Sequence, residues 1–377
     1  MLFTMRRIAA DYIFPISGPP LKNGIIESDP QGRIISVTDT GGDFKETSRL
    51  EYYNGILVPG LIIPCCRIEP YIFQTEISNY ASLKRFITRK LDDFILSPEA
   101  DTRFRNLDMN LQNSGIRGIG CITNRFHFFR NKSDGGISYH SFIEIFPEKK
   151  LDSFESFNAA VEDIMIGWND YGLPSSIIPF DLCSEEEIMT HISDFSTIHD
   201  NPLILGCPGM QNDPSSILKK FSSILSRCTG KEEDKALSTF RNPVMIVSGN
   251  LSGFPEVLNN NTFILLPTDN LYLIDNLLIE KDFWIRFSGN LLFSNYLFSF
   301  NTKVPVISDL INLQLKIPWL SFDDLIKCFT INPARALRMD HHAGSFVPGK
   351  IPGINLITNF DFDKFKLTEK SEIRPII

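Results

Sequence analysis

Apolar positions in the first fifty residues come in short blocks, at 7–14, 24–28 and 33–37. Turn residues separate them: Gly18-Pro19-Pro20, Asp29-Pro30-Gln31-Gly32 and Gly41-Gly42. Runs of this length, cut by glycine and proline, predict a small antiparallel β-module. The other end of the chain has the same texture, with the turn Val347-Pro348-Gly349-Lys350 ahead of the apolar run 354–358. The predicted module is therefore split between the two termini, around a large insert.

Within that insert the periodicity alternates between about two and about 3.6. Leu83, Phe86, Ile87, Leu91, Phe94 and Ile95 recur at helical spacing, as do Phe104, Leu107 and Leu111, with Gly115 closing the second helix. Phe154, Phe157, Val161 and Ile164 mark another helix. Ser184 to Glu187 has the spacing of a capping box ahead of Ile188, Ile192 and Phe195. Asp213-Pro214 opens a helix carrying Ile217, Phe221 and Ile224. Buried strands are expected at 58–64, 117–122, 202–207, 244–247, 262–266 and 283–287, with exposed loops or helix starts at 131–136 and 229–235. Strands alternating with helices, with no GxGxxG after an early strand, predict an α/β (β/α)₈ TIM-like barrel over 58–343. A small β-sandwich domain built from 1–57 and 344–377 completes the expected architecture.

Composition narrows the function classes. A formal net charge of -8 over 377 residues argues against a general nucleic-acid binder. No window of about 18 uncharged apolar residues predicts a membrane span, and the N-terminal stretch lacks the apolar core of a secretory signal. Seven dispersed cysteines without a CxxC pair read as free thiols in a reducing, cytoplasmic compartment.

Chemistry in such barrels gathers at the C-terminal ends of strands. There the sequence places Cys65, Cys66 and Arg67 with Glu69 just beyond, then Asn124, Cys207, Ser248, Asp269 and Asn290. Glu144 and Asp181 are further carboxylates in or beside apolar runs. Arg67 needs a partner if buried, and Glu69, Asp181 or Asp269 could supply it. Glu144, on an otherwise apolar strand pattern, is placed to meet Arg67 or Arg125. Of the histidines, only His127 falls near an inferred strand end.

Six segments together resemble the amidohydrolase superfamily, in its chlorohydrolase and aminohydrolase, deaminase-like branch. They are VPGLIIPCCRIE from Val58, SGIRGIGCITN from Ser114, LLPTDNLYL from Leu265, FSGNLLFSN from Phe287, INPARALRMD from Ile331 and GSFVPGKIPGINLIT from Gly344. The resemblance runs over nearly the whole chain, and the last two segments are its most specific part. It implies one or two divalent metals held by His-x-His after the first strand, one or two later histidines and an aspartate after the last strand. Laid onto this sequence, those positions fall on Cys65 and Arg67, near Cys207, on Ser248 and at or beside Asn290. The implied ligand set is thus replaced throughout. A catalytic metal takes bound water from a pKa of about 15.7 to about 7, a task that hydroxyl, amide and guanidinium groups do not perform.

The expectation is an amidohydrolase-like protein that has lost metal-dependent hydrolysis and acts as a non-catalytic or repurposed ligand-binding barrel. No catalytic residue is assigned, no metal or other cofactor is expected, and the partners expected are a small-molecule ligand and a second copy of the chain. In this reading Arg67 is either an ion-pair plug at the barrel mouth or a contact for an anionic ligand. Two alternatives stand beside it: an enzyme of altered chemistry that uses thiols at the barrel end, and a hydrolase of non-peptide carbon–nitrogen bonds with an unusual site on His127, His140 and Asp181 or Asp269, with zinc or another divalent metal.

Overall fold

The computed structural model describes residues 5–43, 49–74, 86, 98–123, 132, 136–145, 175–179, 190, 192–193, 196–197, 201–206, 214–247, 254, 258–268, 280–294 and 306–377. The helices expected around Leu83–Ile95 and Phe154–Ile164 and the capping box at 184–187 lie outside these residues, Phe86 apart. The chain divides into two compact units. The first comprises Met1–Ile63, Met109–Gly118 and Lys303–Ile377; the second comprises Pro64–Asp108 and Ile119–Thr302.

The first unit joins both chain ends in a seven-stranded sheet, ordered β15-β14-β5-β1-β3-β4 with β2 also paired to β1. The strands are β1 (Arg6–Ile13), β2 (Leu21–Lys22), β3 (Ile25–Ser28), β4 (Ile34–Thr38), β5 (Leu50–Pro59), β14 (Ile354–Thr358) and β15 (Glu372–Pro375). Among the described residues these seven strands make one sheet, where the sequence predicts the two of a sandwich. It is also mixed rather than purely antiparallel, because β1 runs parallel to β5. Ile8, Ala10 and Ile13 of β1, two or three residues apart, share an apolar cluster with Ile26, Leu57, Ile354 and Leu356, the consequence of side chains alternating between faces.

A register shift between Ala10 and Tyr12 leaves Asp11 at an irregular position in β1. The Asp11 carboxylate uses it, accepting the Gly55 N–H at 2.7 Å and the Tyr52 hydroxyl at 2.7 Å. Gly55 itself has φ +133°, and a Cβ there would sit 2.3 Å from the Ile357 carbonyl oxygen, so only glycine lets β5 and β14 approach this closely.

Eight further strands, in two sheets of four, run into or through the second unit. One sheet is ordered β6-β7-β8-β9 and the other β10-β11-β12-β13. Their ranges are β6 (Leu61–Cys66), β7 (Ile116–Thr123), β8 (Ser138–Ile145), β9 (Ser175–Pro179), β10 (Leu203–Leu205), β11 (Val244–Val247), β12 (Thr262–Pro267) and β13 (Leu291–Ser294). Strands β10 to β13 are parallel throughout, and their buried, nearly unbroken apolar sequences are what a sheet covered on both faces requires. Leu203, Leu205, Val244 and Ile246 pack with Leu218, Phe221, Ile224 and Leu225 of the helix Pro214–Thr229, so that face of the sheet looks toward helices. Ile143 of β8 joins the same cluster, which turns His140, Phe142 and Glu144 to the other, inner face.

The two sheets also meet at their ends. Strand β9 lies beside β10, and the Ser294 hydroxyl of β13 donates to the Cys65 carbonyl of β6. The arrangement is TIM-barrel-like, although the described residues form two sheets rather than one closed hydrogen-bonded barrel.

Two local expectations need correction. Residues 283–287, read as a strand from their aromatic and β-branched content, belong to the helix Lys281–Phe287. Trp284 and Phe287 are its buried positions, three apart, and Asp282 sits in its first turn where the helix dipole favours an acid. The strand follows at β13. The second correction concerns 131–136, expected to be exposed: Lys132 is buried, with Nζ 3.1 Å from the Ser141 hydroxyl oxygen and 5.5 Å from the Tyr139 ring centroid. A four-carbon stem that carries its charge to a buried hydroxyl and an aromatic face does not show in local composition.

Candidate functional site

Pro64, without a backbone donor, precedes the last two residues of β6, Cys65 and Cys66. Arg67 follows in an isolated bridge, and Glu69 then opens the four-residue helix Glu69–Ile72, with Pro70 in the first turn. The strand thus delivers a guanidinium and a carboxylate to its C-terminal end within three positions. Strand β8 brings Glu144, its penultimate residue, to the corresponding end.

These three side chains form the core of the site. Arg67 Nη2 donates to Glu144 Oε2 at 2.6 Å, and Arg67 Nη1 lies 3.8 Å from Glu69 Oε2. The side chains of Arg67, Glu69 and Glu144 are only 1%, 2% and 3% exposed, so the contacts form away from water. Burial pushes the Glu144 carboxyl above its ordinary range; Arg67 opposes that shift and Glu69 adds to it. One guanidinium between two carboxylates leaves this trio with an excess of negative charge.

A second layer of buried polar groups lies alongside. The Tyr139 hydroxyl donates to Asp108 Oδ1 at 2.7 Å, and burial together with that carboxylate holds the phenol well above its usual range. Burial likewise raises the Cys121 thiol, with Lys132 and Arg67 acting in the opposite sense and Glu69 reinforcing it. Cys65, Cys66 and Cys121 are all buried cysteines outside any disulfide. A thiol that burial keeps protonated is a poor nucleophile. On the inner face, His140 Nε2 is 2.7 Å from the Ser176 hydroxyl.

The structure therefore brings together Arg67, Glu69 and Glu144, with Cys65 and Cys66 at the end of the same strand. It separates Asn290 from them. That residue precedes β13, and its Nδ2 donates to the carbonyls of Thr262 at 2.7 Å and Asn259 at 3.2 Å, at the start of strand β12. Asn290 closes the N-terminal end of the sheet, and the residue at the C-terminal end of the last strand is Ser294. Misreading the helix Lys281–Phe287 as a strand is what displaced the expectation. Asn124, Asp181, Cys207, Ser248, Asp269 and His127 lie outside the described residues. Lys132, Ser141 and Tyr139 were not singled out from sequence. Ser141 and Tyr139 lie on the face of β8 opposite Glu144, so the alternation that singles out Glu144 does not single them out.

At the first-strand pair, the donor set does not fit a divalent metal. A guanidinium stays protonated, offers no lone pair and repels a dication. Among the described residues no group of three or more His, Cys, Asp or Glu side chains is arranged to hold a metal ion. No helix among them is long and apolar enough to cross a membrane.

Comparison with known proteins agrees with the architecture. Residues 227–373 match the model of the Amidohydrolase family. No curated protein matches the chain. Among solved structures, 5-methylcytosine deaminase from Klebsiella pneumoniae superposes with a TM-score of 0.68 at 11% identity, covering 98% of both chains. Guanine deaminase from C. acetobutylicum gives 0.65 at 15% identity, over 94% of this chain and 91% of that one. Aminofutalosine deaminase from Helicobacter pylori gives 0.64 at 12% identity, over 96% and 94%. Residues 227–373 are thus similar to the Amidohydrolase family, and the chain has the TIM-barrel-like α/β fold of these solved structures.

Proposed function

We propose that this chain is an amidohydrolase-like barrel in which the buried Arg67–Glu144 pair stands in for divalent-metal chemistry at the first strand, leaving a ligand-binding rather than a hydrolytic site. The observation that carries the reading is the 2.6 Å contact between two side chains that are 1% and 3% exposed. A fixed monocation held this way supplies part of the positive charge that a metal would bring, without activating water. Among the described residues, four buried cysteines outside any disulfide, Cys65, Cys66, Cys121 and Cys328, accord with a reducing compartment such as the cytoplasm. A homodimer belongs to the same reading.

Metal analysis tests it. Protein purified and dialysed with excess zinc is expected to retain far less than one zinc per chain, and the double variant Cys65→His/Arg67→His, which restores a His-x-His, is expected to retain more. Stoichiometric zinc in the unaltered protein, with turnover of an aminated heterocycle, would overturn the reading. A second reading, a hydrolase of non-peptide carbon–nitrogen bonds, draws support from the deaminase neighbours and the Amidohydrolase match. The same turnover assay supports it if positive.

A further inference from the structure

We infer that Glu69 is the recognition group of this barrel-end site and that it takes a cationic nitrogen centre, an ammonium or guanidinium with at least two N–H donors. The inference rests on the ligand-binding reading above and gives that ligand a chemical class.

Glu69 is 2% exposed, yet among the described residues neither of its carboxylate oxygens accepts a hydrogen bond. A carboxylate removed from water gains nothing from burial unless donors replace the lost hydration. The neighbouring cation does not close that deficit. Arg67 directs Nη2 to Glu144 at 2.6 Å and leaves Nη1 3.8 Å from Glu69, outside hydrogen-bond range. The other buried ammonium of this region, Lys132, donates to Ser141.

Charge decides what can fill the vacancy in Glu69's hydrogen bonding. Arg67 is already faced by two carboxylates, so an anion would meet an excess of its own sign, whereas a monocation brings the trio to neutrality. Geometry agrees, because two carboxylate oxygens that accept no hydrogen bond match the two parallel N–H groups a guanidinium presents, and either one suits an ammonium. This takes the place of the anionic-ligand alternative for Arg67: Arg67 orients the acids, and the acid receives the ligand.

The test uses the full chain with methylguanidinium and methylammonium chloride as probes and sodium acetate as the anionic control, at constant ionic strength, followed by calorimetry and thermal unfolding. One of the cations is expected to bind saturably and raise the unfolding temperature, with acetate inert. Glu69→Gln is isosteric and is expected to weaken binding about tenfold or more, the share of a charge-assisted hydrogen bond. Glu69→Asp keeps the charge and is expected to fall between the two; it carries the comparison if Glu69→Gln does not fold. Equal affinity in the variant and the unaltered protein, saturable acetate binding, or no saturable cation binding would each overturn the inference. Zinc content is measured on the same samples. A zinc-free protein that binds neither cation sinks this inference alone, while stoichiometric zinc with turnover sinks the underlying reading.

Discussion

Two arginine–glutamate pairs, one in each compact unit, show how far solvent decides the worth of the same two residues. In the seven-stranded sheet Arg6 grips Glu51 through two parallel bonds, 2.9 Å from Nε and 2.7 Å from Nη2. Tyr53 donates to the same carboxylate at 2.9 Å, and Arg6 Nη1 donates to the Ile376 carbonyl at 3.0 Å. About a third of each side chain remains in water, 32% and 38%. At the barrel end, Arg67 and Glu144 share a single short contact in near-complete burial. The hydrogen bond from Arg6 is the main influence on Glu51 and lowers its carboxyl, whereas burial is the main influence on Glu144 and raises it. The exposed pair is better bonded and matters less. The buried pair is held in place by the cost of breaking it, which is the property a site can use and a sheet edge cannot.

The largest expected effect comes from removing the acid that Arg67 hydrogen-bonds. Glu144→Ala leaves a guanidinium without its hydrogen-bonded acid in the interior and is expected to cost about 3–5 kcal/mol, read from urea unfolding. A loss below about 1 kcal/mol would show that water or another acid reaches Arg67 and would dissolve the contrast. Replacing the whole trio sharpens it: Arg67→Met/Glu144→Leu/Glu69→Gln removes the buried charges together with their attraction, where changing the pair alone would leave the Glu69 carboxylate buried without its neighbouring cation. That triple variant is expected to match the unaltered protein or exceed it by about 1–4 kcal/mol. If it is as unstable as the single variant, the trio stabilises the fold in its own right.

How far this contrast was legible in the sequence differs between the two regions. The sheet strands at Arg6–Ile13, Ile25–Ser28 and Ile34–Thr38 fall within a residue or two of the apolar blocks, because alternation and turn glycines are local signals. The contact of Glu144 with Arg67 was one of two partnerships that period-two alternation on β8 left open. Choosing it over Arg125 required knowing that β6 and β8 bring their ends together across β7, which is a long-range fact. Asn290 failed for the opposite reason. Aromatic residues at 283–287 satisfied a strand pattern locally, while the three-residue spacing of Trp284 and Phe287 decided for a helix once there was a core to pack against. Lys132 was hidden because polar neighbours outweighed its own stem in any local average.

Acid titration separates the two pairs by sign. The Glu144 carboxyl is raised in the folded state, so the folded chain binds the more protons between the ordinary value of 4.5 and the raised one, and stability falls as pH rises through that window. Glu144→Gln is expected to flatten that slope. Glu51 is lowered, so its contribution is present above 4.5 and disappears as pH falls through the folded value. Glu51→Gln is expected to remove that acid-side loss. Changes of slope of the same sign in the two variants, each taken against the unaltered protein, would contradict the roles assigned to burial and to the Arg6 hydrogen bond.

The smallest effect is expected where the hydrogen bonding looks best. Glu51→Ala removes the bidentate contact, but both partners remain partly hydrated and salt screens their attraction. After that discount the expected loss is about 0.5–1 kcal/mol at low salt, shrinking as salt is raised, measured by urea unfolding at two ionic strengths. The Ile376 carbonyl tempers the loss further, since Arg6 Nη1 keeps that bond when Glu51 is gone. A cost of several kcal/mol that salt does not touch would mean that Glu51 behaves as a buried acid. Exposure would then not be the variable that separates the two pairs, and the single short bond of Arg67 to Glu144 would need another account of its weight.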